Sequence, residues 1–266
     1  MAHPQIAAFA RLAKENEQPT RLIAGQRTLL SRTMHDIRYD EVNDEMLVTN
    51  PFARAILVFR GGANGEEAPI RVIQGSRTQL ESPDRLEVDP INNEIIVPEG
   101  NKVLVFRRTG NGDEAPIRIL QGLQDAGSVA VDPVHDLLVI GLNGRQTGGS
   151  LLIFNRTDSG TAKPKAEIRG PKTGIIRINQ MEINAEKGWI VATQPGIASE
   201  QDPEGIFVGV WSINDNGDVP PRWRLAGPKS GLKKPRGVAL NYKNKELIIA
   251  DMRLNSVFTY SFPEIF

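Results

Sequence analysis

The chain repeats one short pattern five times, and this repeat constrains the fold more than any other feature. Each copy begins with Pro, continues with alternating apolar residues and ends with Gly. The copies are Pro19–Gly25, Pro69–Gly75, Pro116–Gly122, Pro164–Gly170 and Pro221–Gly227. Successive copies are 50, 47, 48 and 57 residues apart. Such a period indicates copies of one supersecondary unit that stack on their neighbours to bury an apolar face.

Each repeat contains three more strand-length apolar runs after its Pro motif. The first of these, which we call the inner strand, ends in an acid or amide, at Asp40, Asp89, Asp132, Asn184 and Asn241. After the inner strand come a short polar turn, a second strand such as Glu94–Val97 and a third strand such as Lys102–Phe106. We call the strand of the Pro motif the outer strand. Four strands joined by short loops are typical of a propeller blade. The sequence therefore predicts an all-β fold, a β-propeller of five four-stranded blades, with six blades as the alternative.

The two ends of the chain suggest how the ring closes. Residues 237–262 supply an inner, a second and a third strand without an outer strand, whereas Thr20–Gly25 is an outer strand with nothing ahead of it. We expect the N-terminal outer strand to join the C-terminal blade, which removes free sheet edges. Residues 19–266 then form a single propeller domain. Residues 1–18 are an N-terminal extension in which Ile6–Arg11 is an extra strand, a helix or the relic of a sixth blade.

The composition of the chain argues against several classes of protein. Lys and Arg total 32, as do Asp and Glu, so no net basic charge favours nucleic acid. The absence of Cys excludes disulfides and thiolate metal sites. No window approaches the roughly 18 apolar residues of a membrane span. The N-terminal residues lack the features of a signal peptide, which predicts a cytoplasmic protein, or an exported one if a signal was removed.

One repeat carries a family resemblance. Its pattern is Pro-Asp-Arg-Leu-Glu-Val-Asp from Pro83, then Asn-Glu-Ile-Ile-Val from Asn93 and Asn-Lys-Val-Leu-Val-Phe from Asn101. This pattern resembles the NHL-type repeat of bacterial propellers, and the resemblance spans nearly the whole chain. It implies a funnel-shaped toroid whose members mostly bind proteins, sugars or other ligands. Related six-bladed propellers act as calcium-dependent lactone or ester hydrolases.

The loops entering the inner strands, and those from second to third strand, are expected on one face of the disc. Two of them, 143–149 and 194–205, are long and polar, and binding usually depends on such variable loops. Polar residues that differ between blades are expected beside them at the channel mouth. The candidate binding residues are His35, Asp36, Asp84, Arg85, Asn143, Asn179, Gln180, Arg236 and Asp251. The alternative is a solvated channel whose charges neutralise one another.

Charged residues at inner-strand positions suggest a second kind of site. Glu87, Asn179, Glu182 and Asp251 could together supply the oxygen ligands that calcium prefers. The alternative is that these charges pair with others such as Arg38, since an unpaired buried charge is costly. The calcium-like stretch Asn214–Asp218 coincides with a hairpin loop in the other repeats and is interpreted as a turn.

These observations favour a non-catalytic binding module that presents its variable loops to a protein or carbohydrate partner. The chain lacks a nucleophile elbow, a phosphate-binding loop, a dinucleotide fingerprint and a His-Glu-x-x-His motif. No cofactor is therefore predicted. The alternative function is a calcium-dependent, lactonase-like hydrolase in which a metal at the channel mouth polarises an ester carbonyl.

Overall fold

Antiparallel strands form the regular structure, which confirms the predicted all-β class. The computed structural model describes residues 4–32, 34–144, 148–196 and 205–266. The strands are β1 Gln5–Ala8, β2 Arg21–Ala24, β3 Ile37–Asp40, β4 Glu45–Asn50, β5 Ala55–Arg60, β6 Arg71–Gln74, β7 Glu87–Asp89, β8 Glu94–Arg107, β9 Arg118–Asp132, β10 Leu137–Leu142, β11 Ser150–Asn155, β12 Ala166–Ile168, β13 Met181–Asn184, β14 Trp189–Pro195, β15 Ile206–Ser212, β16 Trp223–Ala226, β17 Pro235–Asn241, β18 Glu246–Asp251 and β19 Ser256–Ser261. Short 3₁₀ turns lie at Gln26–Thr28, Ser76–Thr78, Pro171–Thr173, Pro228–Ser230 and Pro263–Ile265. Among the described residues, no helix has the length and apolar character to cross a membrane.

The chain divides into two compact units. Unit 1 comprises residues 1–99 and 104–118, and unit 2 comprises residues 100–103 and 119–266. Unit 1 contains a four-stranded sheet of order β3-β4-β5-β6 and a two-stranded sheet of β1 and β2. The next repeat begins with β7 paired to the first half of β8. The outer strand of this repeat joins the second half of β8 through a hydrogen bond that the Ile117 N–H donates to the Val105 carbonyl oxygen at 2.8 Å.

Unit 2 continues the same strand order. β10 pairs with β9 and β11, and β11 pairs with β12. A further four-stranded sheet has the order β13-β14-β15-β16, and the last sheet has three strands, β17-β18-β19. Repeated small sheets whose strands are antiparallel neighbours in chain order are typical of propeller blades.

The middle strands of the sheet β3 to β6 are buried on both faces. Every residue of β4 and five of the six residues of β5 are buried. A strand covered on both faces has a nearly continuous apolar sequence, which explains runs such as Ala55–Phe59. In unit 1 the core includes Val48, Leu57 and Phe59. In unit 2 it includes Trp211, which is completely buried.

The acids that end the inner strands stabilise turns, as the sequence predicts. The Oδ1 atom of Asp40 accepts hydrogen bonds from the Val42 and Asn43 N–H groups, both at 3.0 Å. Asp89 and Asp132 each accept from the two corresponding amides of their own turns. Capping of successive amides by an Asx side chain is a turn-forming interaction, so these carboxylates are structural.

The loops that contain Asn-Gly bond to the outer strand of the preceding repeat. Gly65, with φ of 66°, forms a parallel bridge with Ile23, and Gly217 does the same with Ile168. Beside this bridge the Asn216 side chain accepts a hydrogen bond from the Glu167 N–H at 3.0 Å. The Asp218 side chain accepts one from the Lys172 N–H at 2.7 Å. The calcium-like stretch Asn214–Asp218 is therefore a structural loop, which confirms its interpretation as a turn.

At the N-terminus the structure shows a strand. Of the three options for Ile6–Arg11, a strand is present at Gln5–Ala8, and it pairs antiparallel with β2 so that Ile6 lies opposite Ile23. β1 thus lies beside β2. The sequence predicted that the last strand of the C-terminal sheet would occupy this place beside β2. Ring closure, the number of blades and the domain boundary at residue 19 stay predictions.

Candidate functional site

Four of the predicted binding residues meet in unit 1, where the chain enters β3 and β7. His35 Nδ1 forms a hydrogen bond with the Asp84 carboxylate. The Arg85 guanidinium donates to the carbonyl oxygens of Asp84 at 2.6 Å and His35 at 3.3 Å. His35 therefore pairs with an acid of the neighbouring sheet rather than with Asp36, its neighbour in sequence, as strand geometry predicts.

Asp36 serves to connect two sheets. Its Oδ2 atom accepts a hydrogen bond from the Leu86 N–H at 3.0 Å, and only 8% of the residue is exposed. Burial raises the pKa of Asp36, because desolvation of the carboxylate outweighs the opposing charges of Arg38 and Arg85 and its backbone hydrogen bonds. The carboxyl group is held inside the structure by this bond.

Glu87 and Arg38 pair with each other in unit 1, which agrees with the structural interpretation of these inner-strand charges. The Arg38 Nη2 atom lies 3.4 Å from Glu87 Oε2, and its Nε atom donates to the Leu86 carbonyl oxygen at 3.1 Å. Glu87 Oε1 accepts from the Val88 N–H at 2.9 Å. One carboxylate oxygen is thus bonded to a backbone amide and the other lies beside a cation.

In unit 2, Gln180 and Arg236 lie on two sides of a hydrogen-bonded connection between sheets. The Gln180 Oε1 atom accepts from the Val238 N–H at 2.5 Å. The Thr193 hydroxyl accepts from the Gln180 N–H at 3.1 Å and donates to the Arg236 carbonyl oxygen at 2.9 Å. Asn179, 3% exposed, donates its own N–H to the Thr193 carbonyl oxygen at 2.9 Å.

Unit 1 contains the same arrangement at the equivalent positions. The Thr49 hydroxyl accepts from the Asp36 N–H at 3.0 Å and lies 3.4 Å from the Asp84 carbonyl oxygen, to which it donates. We call these two arrangements, Thr49 with Asp36 and Thr193 with Gln180, the threonine latches. Neither threonine was predicted from the sequence, although each is the fifth residue of the second strand of its repeat.

Asp251 is saturated by backbone amides. Its Oδ2 atom accepts from the Lys233 and Lys234 N–H groups, both at 2.7 Å. Its Oδ1 atom accepts from Arg253 at 3.0 Å and Leu254 at 3.2 Å. These four bonds use the lone pairs that a metal would require, so Asp251 fixes the loop that enters β17.

Residues at the position of Asp251 in two other repeats also accept hydrogen bonds from backbone amides of the loop before the inner strand. Glu99 accepts from the Glu81 and Ser82 N–H groups, and Gln194 accepts from the Ile176 N–H at 2.6 Å. Aligning the repeats at the end of the second strand places all three in one register, and that signal could have identified them from the sequence. Asn143, which lies at the start of a long loop, donates to the Asp125 carboxylate at 3.4 Å.

The calcium set is not assembled within either unit. Glu87 belongs to unit 1, whereas Asn179, Glu182 and Asp251 belong to unit 2, so the convergence of all four stays a prediction. Glu182 lies in β13 opposite Val191. Throughout the described ranges, no group of three or more His, Cys, Asp or Glu side chains is placed to hold a metal ion.

A pocket of about 740 Å³ lies in unit 2. Its walls include the ends of both long polar loops, Gly148 with Gly149 and Gly205, together with the segment Arg169–Ile176. Three cationic side chains line it, those of Arg169, Lys172 and Arg224, and we call it the basic pocket. No Asp or Glu is among the described residues that line it. The long loops were expected to form part of a site, whereas these cations were not predicted.

Two interactions hold the walls of the basic pocket. The Arg224 guanidinium carbon lies 4.6 Å from the centroid of the Phe207 ring, a stacked position that restricts its orientation. The completely buried Gln194 donates from Nε2 to the Gly174 oxygen at 2.8 Å and the Gly205 oxygen at 2.9 Å. One amide side chain thus ties the Arg169–Ile176 segment to the end of the 194–205 loop.

Internal comparison shows why sequence reasoning missed these cations. In the sheet β3 to β6, the residue at the repeat position of Arg224 is Val72, and the residue at the position of Arg169 is Gln74. A cation that replaces an apolar or neutral residue at one repeat alone is a signal that an alignment of the outer strands could have provided. Residues 145–147 and 197–204 of the predicted loops lie outside the described residues.

Comparison with known proteins assigns no family to this arrangement. No protein-family model matches the chain, and a search of curated proteins also finds no match. The class of protein that the structure defines is an all-β protein with propeller-type blades.

Proposed function

We propose that the protein is a non-catalytic binding module that holds an anionic group of a protein or carbohydrate partner in the basic pocket. The observation that carries the proposal is the pocket itself, which combines three cations with the ends of the two long loops. Guanidinium groups bind carboxylate, sulfate and phosphate groups through paired hydrogen bonds. An anion is therefore the ligand whose charge matches the lining.

The charge of the lining favours an anion, although two acids lie beside it: Glu167, next to Arg169, and Asp218, which accepts a hydrogen bond from the Lys172 N–H. Arg169 Nη1 lies 3.6 Å from the Glu167 carboxylate, and about half of the Arg169 side chain is exposed. An exposed pair at this distance contributes little stability, so Arg169 can exchange its partner at small cost. Lys172 and Arg224 add two further exposed cations to the same pocket.

The lining supplies charge and shape rather than a catalytic group. The other described residues that line it are Gly, Pro, Ile and Thr173, and the Thr173 hydroxyl already donates to the Gly170 carbonyl oxygen at 2.7 Å. Nucleophilic catalysis requires a nucleophile within reach of a base. The composition of the lining supports binding over hydrolysis.

We further infer that the blades belong to a five-bladed, NHL-type bacterial propeller. The repeat spacing and the NHL-like pattern of the second repeat support this inference. In addition, β2 bonds to the loop at Gly65 in the way that β6 bonds to the loop at Gly112, which is the bonding position of an outer strand.

The test measures binding of two fluorescent anions, a hexaglutamate peptide and a trigalacturonate, to the full chain at low and high salt. We expect saturable binding of one of them that weakens as salt rises. The double variant Arg169→Gln and Arg224→Gln should weaken it at least about tenfold, the equivalent of about 1.4 kcal/mol. Lys243→Gln removes one exposed charge from a turn outside the pocket and is the control.

The two anions distinguish the possible partners. Preference for the peptide indicates an acidic protein segment, and preference for the sugar indicates an acidic carbohydrate. The proposal fails if neither binds, or if Lys243→Gln weakens binding as much as the double variant.

A further inference from the structure

Among the described residues no strand other than β18 pairs with β19, so the last sheet of unit 2 has an open edge. Its third strand, β19, pairs with β18 and forms the end of a three-stranded sheet. Val257 of β19 is 67% exposed. The residues at the same register position of the other third strands, Ile56, Leu151 and Val208, are 0%, 0% and 1% exposed. An aliphatic position that is buried in these repeats therefore faces solvent here.

The other sheets show what covers this position. A fourth strand pairs with each third strand and places an aliphatic residue opposite: Ile73 opposite Ile56, Ile168 opposite Leu151, and Leu225 opposite Val208. Burial of such cross-strand pairs stabilises a sheet. The internal repeats thus specify the chemistry of the strand that would fit beside β19, which must carry Ile or Leu opposite Val257.

β19 also lacks the features that protect the outer strands. Its sequence, Ser-Val-Phe-Thr-Tyr-Ser from Ser256 to Ser261, contains neither a charged residue nor Pro. The outer strands of the four-stranded sheets carry charges, at Arg71 in β6 and Arg224 in β16. Natural sheets use charges, Pro and bulges to prevent further strand pairing at an edge. The open edge of β19 is therefore compatible with the addition of a strand.

We propose that β19 binds an extended segment of another polypeptide, which adds to it as an antiparallel fourth strand with Ile or Leu opposite Val257. This surface consists of backbone groups and uncharged side chains. Its occupant is an extended strand with an aliphatic residue opposite Val257, whereas the basic pocket accepts an anion. The inference goes beyond the proposed function and does not depend on it.

The test uses a fluorescent peptide with the sequence of an outer strand, Ala-Pro-Ile-Arg-Val-Ile-Gln-Gly-Ser, taken from residues 68–76. Fluorescence anisotropy measures its binding to the full chain. We expect saturable binding, and at least a tenfold loss of affinity when the peptide residue that corresponds to Ile73 is replaced by Asp. Backbone pairing supplies the affinity and the aliphatic pair the specificity.

A matched pair of protein variants locates the binding. Val257→Lys places a charge at the open edge, and Val134→Lys places the same charge in a turn where the valine is also 67% exposed. The first variant should weaken peptide binding at least about tenfold and the second should leave it unchanged. Absence of saturable binding at about 1 mM peptide overturns the proposal, as does an equal effect of the two variants.

Discussion

Different residues perform one task at equivalent positions of the repeat. Asp36 and Gln180 each precede an inner strand, and each accepts a hydrogen bond from a backbone N–H of the next sheet, that of Leu86 or Val238. A carboxylate and an amide are both acceptors, but only the carboxylate must lose the hydration of a charge. At these two positions a carboxylate and an amide therefore meet the same packing requirement.

Replacing Asp36 by Asn should make the stability of the protein less sensitive to pH. The raised pKa of Asp36 means that the protonated form is favoured in the folded state. The stability that this group contributes is present below its ordinary pKa and is lost as pH rises through the raised value. Asn keeps an acceptor for the Leu86 N–H without a charge to desolvate.

Thermal melts between pH 4 and pH 8 check this prediction. The difference in Tm between Asp36→Asn and the original protein should move in favour of the variant as pH rises. A difference that moves against the variant would show that the attraction of Arg38 and Arg85 to the carboxylate outweighs its desolvation.

At the scale of elements, the threonine latches join one sheet to the next. The Thr193 hydroxyl is completely buried and satisfies a donor and an acceptor of two sheets at once. Thr193→Val preserves the shape of the side chain but leaves the Gln180 N–H without the hydroxyl, and the Arg236 carbonyl without its donor. Unsatisfied buried polar groups cost about 1–3 kcal/mol, which lowers Tm by roughly 2–12 °C in a protein of this size.

The control for this prediction is Thr161→Val, which changes an exposed threonine of the same unit. Its Tm should stay within about 1 °C of the original protein, since surface substitutions usually have small effects. Equal melts for the two variants would contradict the assignment of Thr193 as a latch.

The contact between the second and outer strands is an ion pair in one sheet and an aromatic pair in another. In unit 1, Glu45 accepts two hydrogen bonds from Arg71, at 2.8 and 2.7 Å, and one from Arg108 at 2.7 Å. Burial alone would raise the pKa of Glu45, but the hydrogen bonds and charges of the two arginines outweigh it and lower the pKa. In unit 2 the positions of Glu45 and Arg71 carry Trp189 and Trp223, whose rings meet edge to face at 5.1 Å. An ion pair and an aromatic pair therefore connect the second and outer strands at one repeat position.

The sequence predicts those elements that depend on local pattern. The apolar runs predict β4 and β5, and Asp40 with its turn follows from the preference of Asx side chains for nearby amides. The latches and the basic pocket were missed because their residues are distant in sequence. Arg169 and Arg224, for example, belong to different repeats, and only the packing of neighbouring repeats brings them to one pocket.

One connection departs from the repeat for an identifiable reason. In four repeats the Gly after the outer strand is followed three residues later by Thr or Ser, and the Thr28 hydroxyl donates to the Gly25 carbonyl oxygen at 2.6 Å. The remaining copy, the third in the chain, has Asp125 at this position after Gly122. A carboxylate cannot donate this bond, and the chain continues as the extended strand β9 instead of forming a 3₁₀ turn.

At the scale of the whole molecule, the calcium alternative makes a direct thermodynamic prediction. A metal that binds only the folded protein raises Tm by mass action. Because the Asp251 carboxylate is occupied by four backbone amides, we expect the melts in EDTA and in excess calcium to agree within about 1 °C. A rise in calcium that disappears in Glu182→Gln would contradict this expectation and favour the hydrolase.

The loops that end at Gly65, Gly112, Gly160 and Gly217, three with Asn-Gly and one with Ser-Gly, bear on how the gene can evolve. The loop of one repeat bonds to the outer strand of the preceding one, at Gly65 with Ile23, Gly112 with Ile73, Gly160 with Leu120 and Gly217 with Ile168. Every such junction uses the same backbone donors and acceptors, whatever the side chains on either side. A gene segment of about 48 codons can therefore be copied or deleted in register and still meet a compatible neighbour at both of its borders. The chain can thus change in length by whole blades while its individual loops diverge.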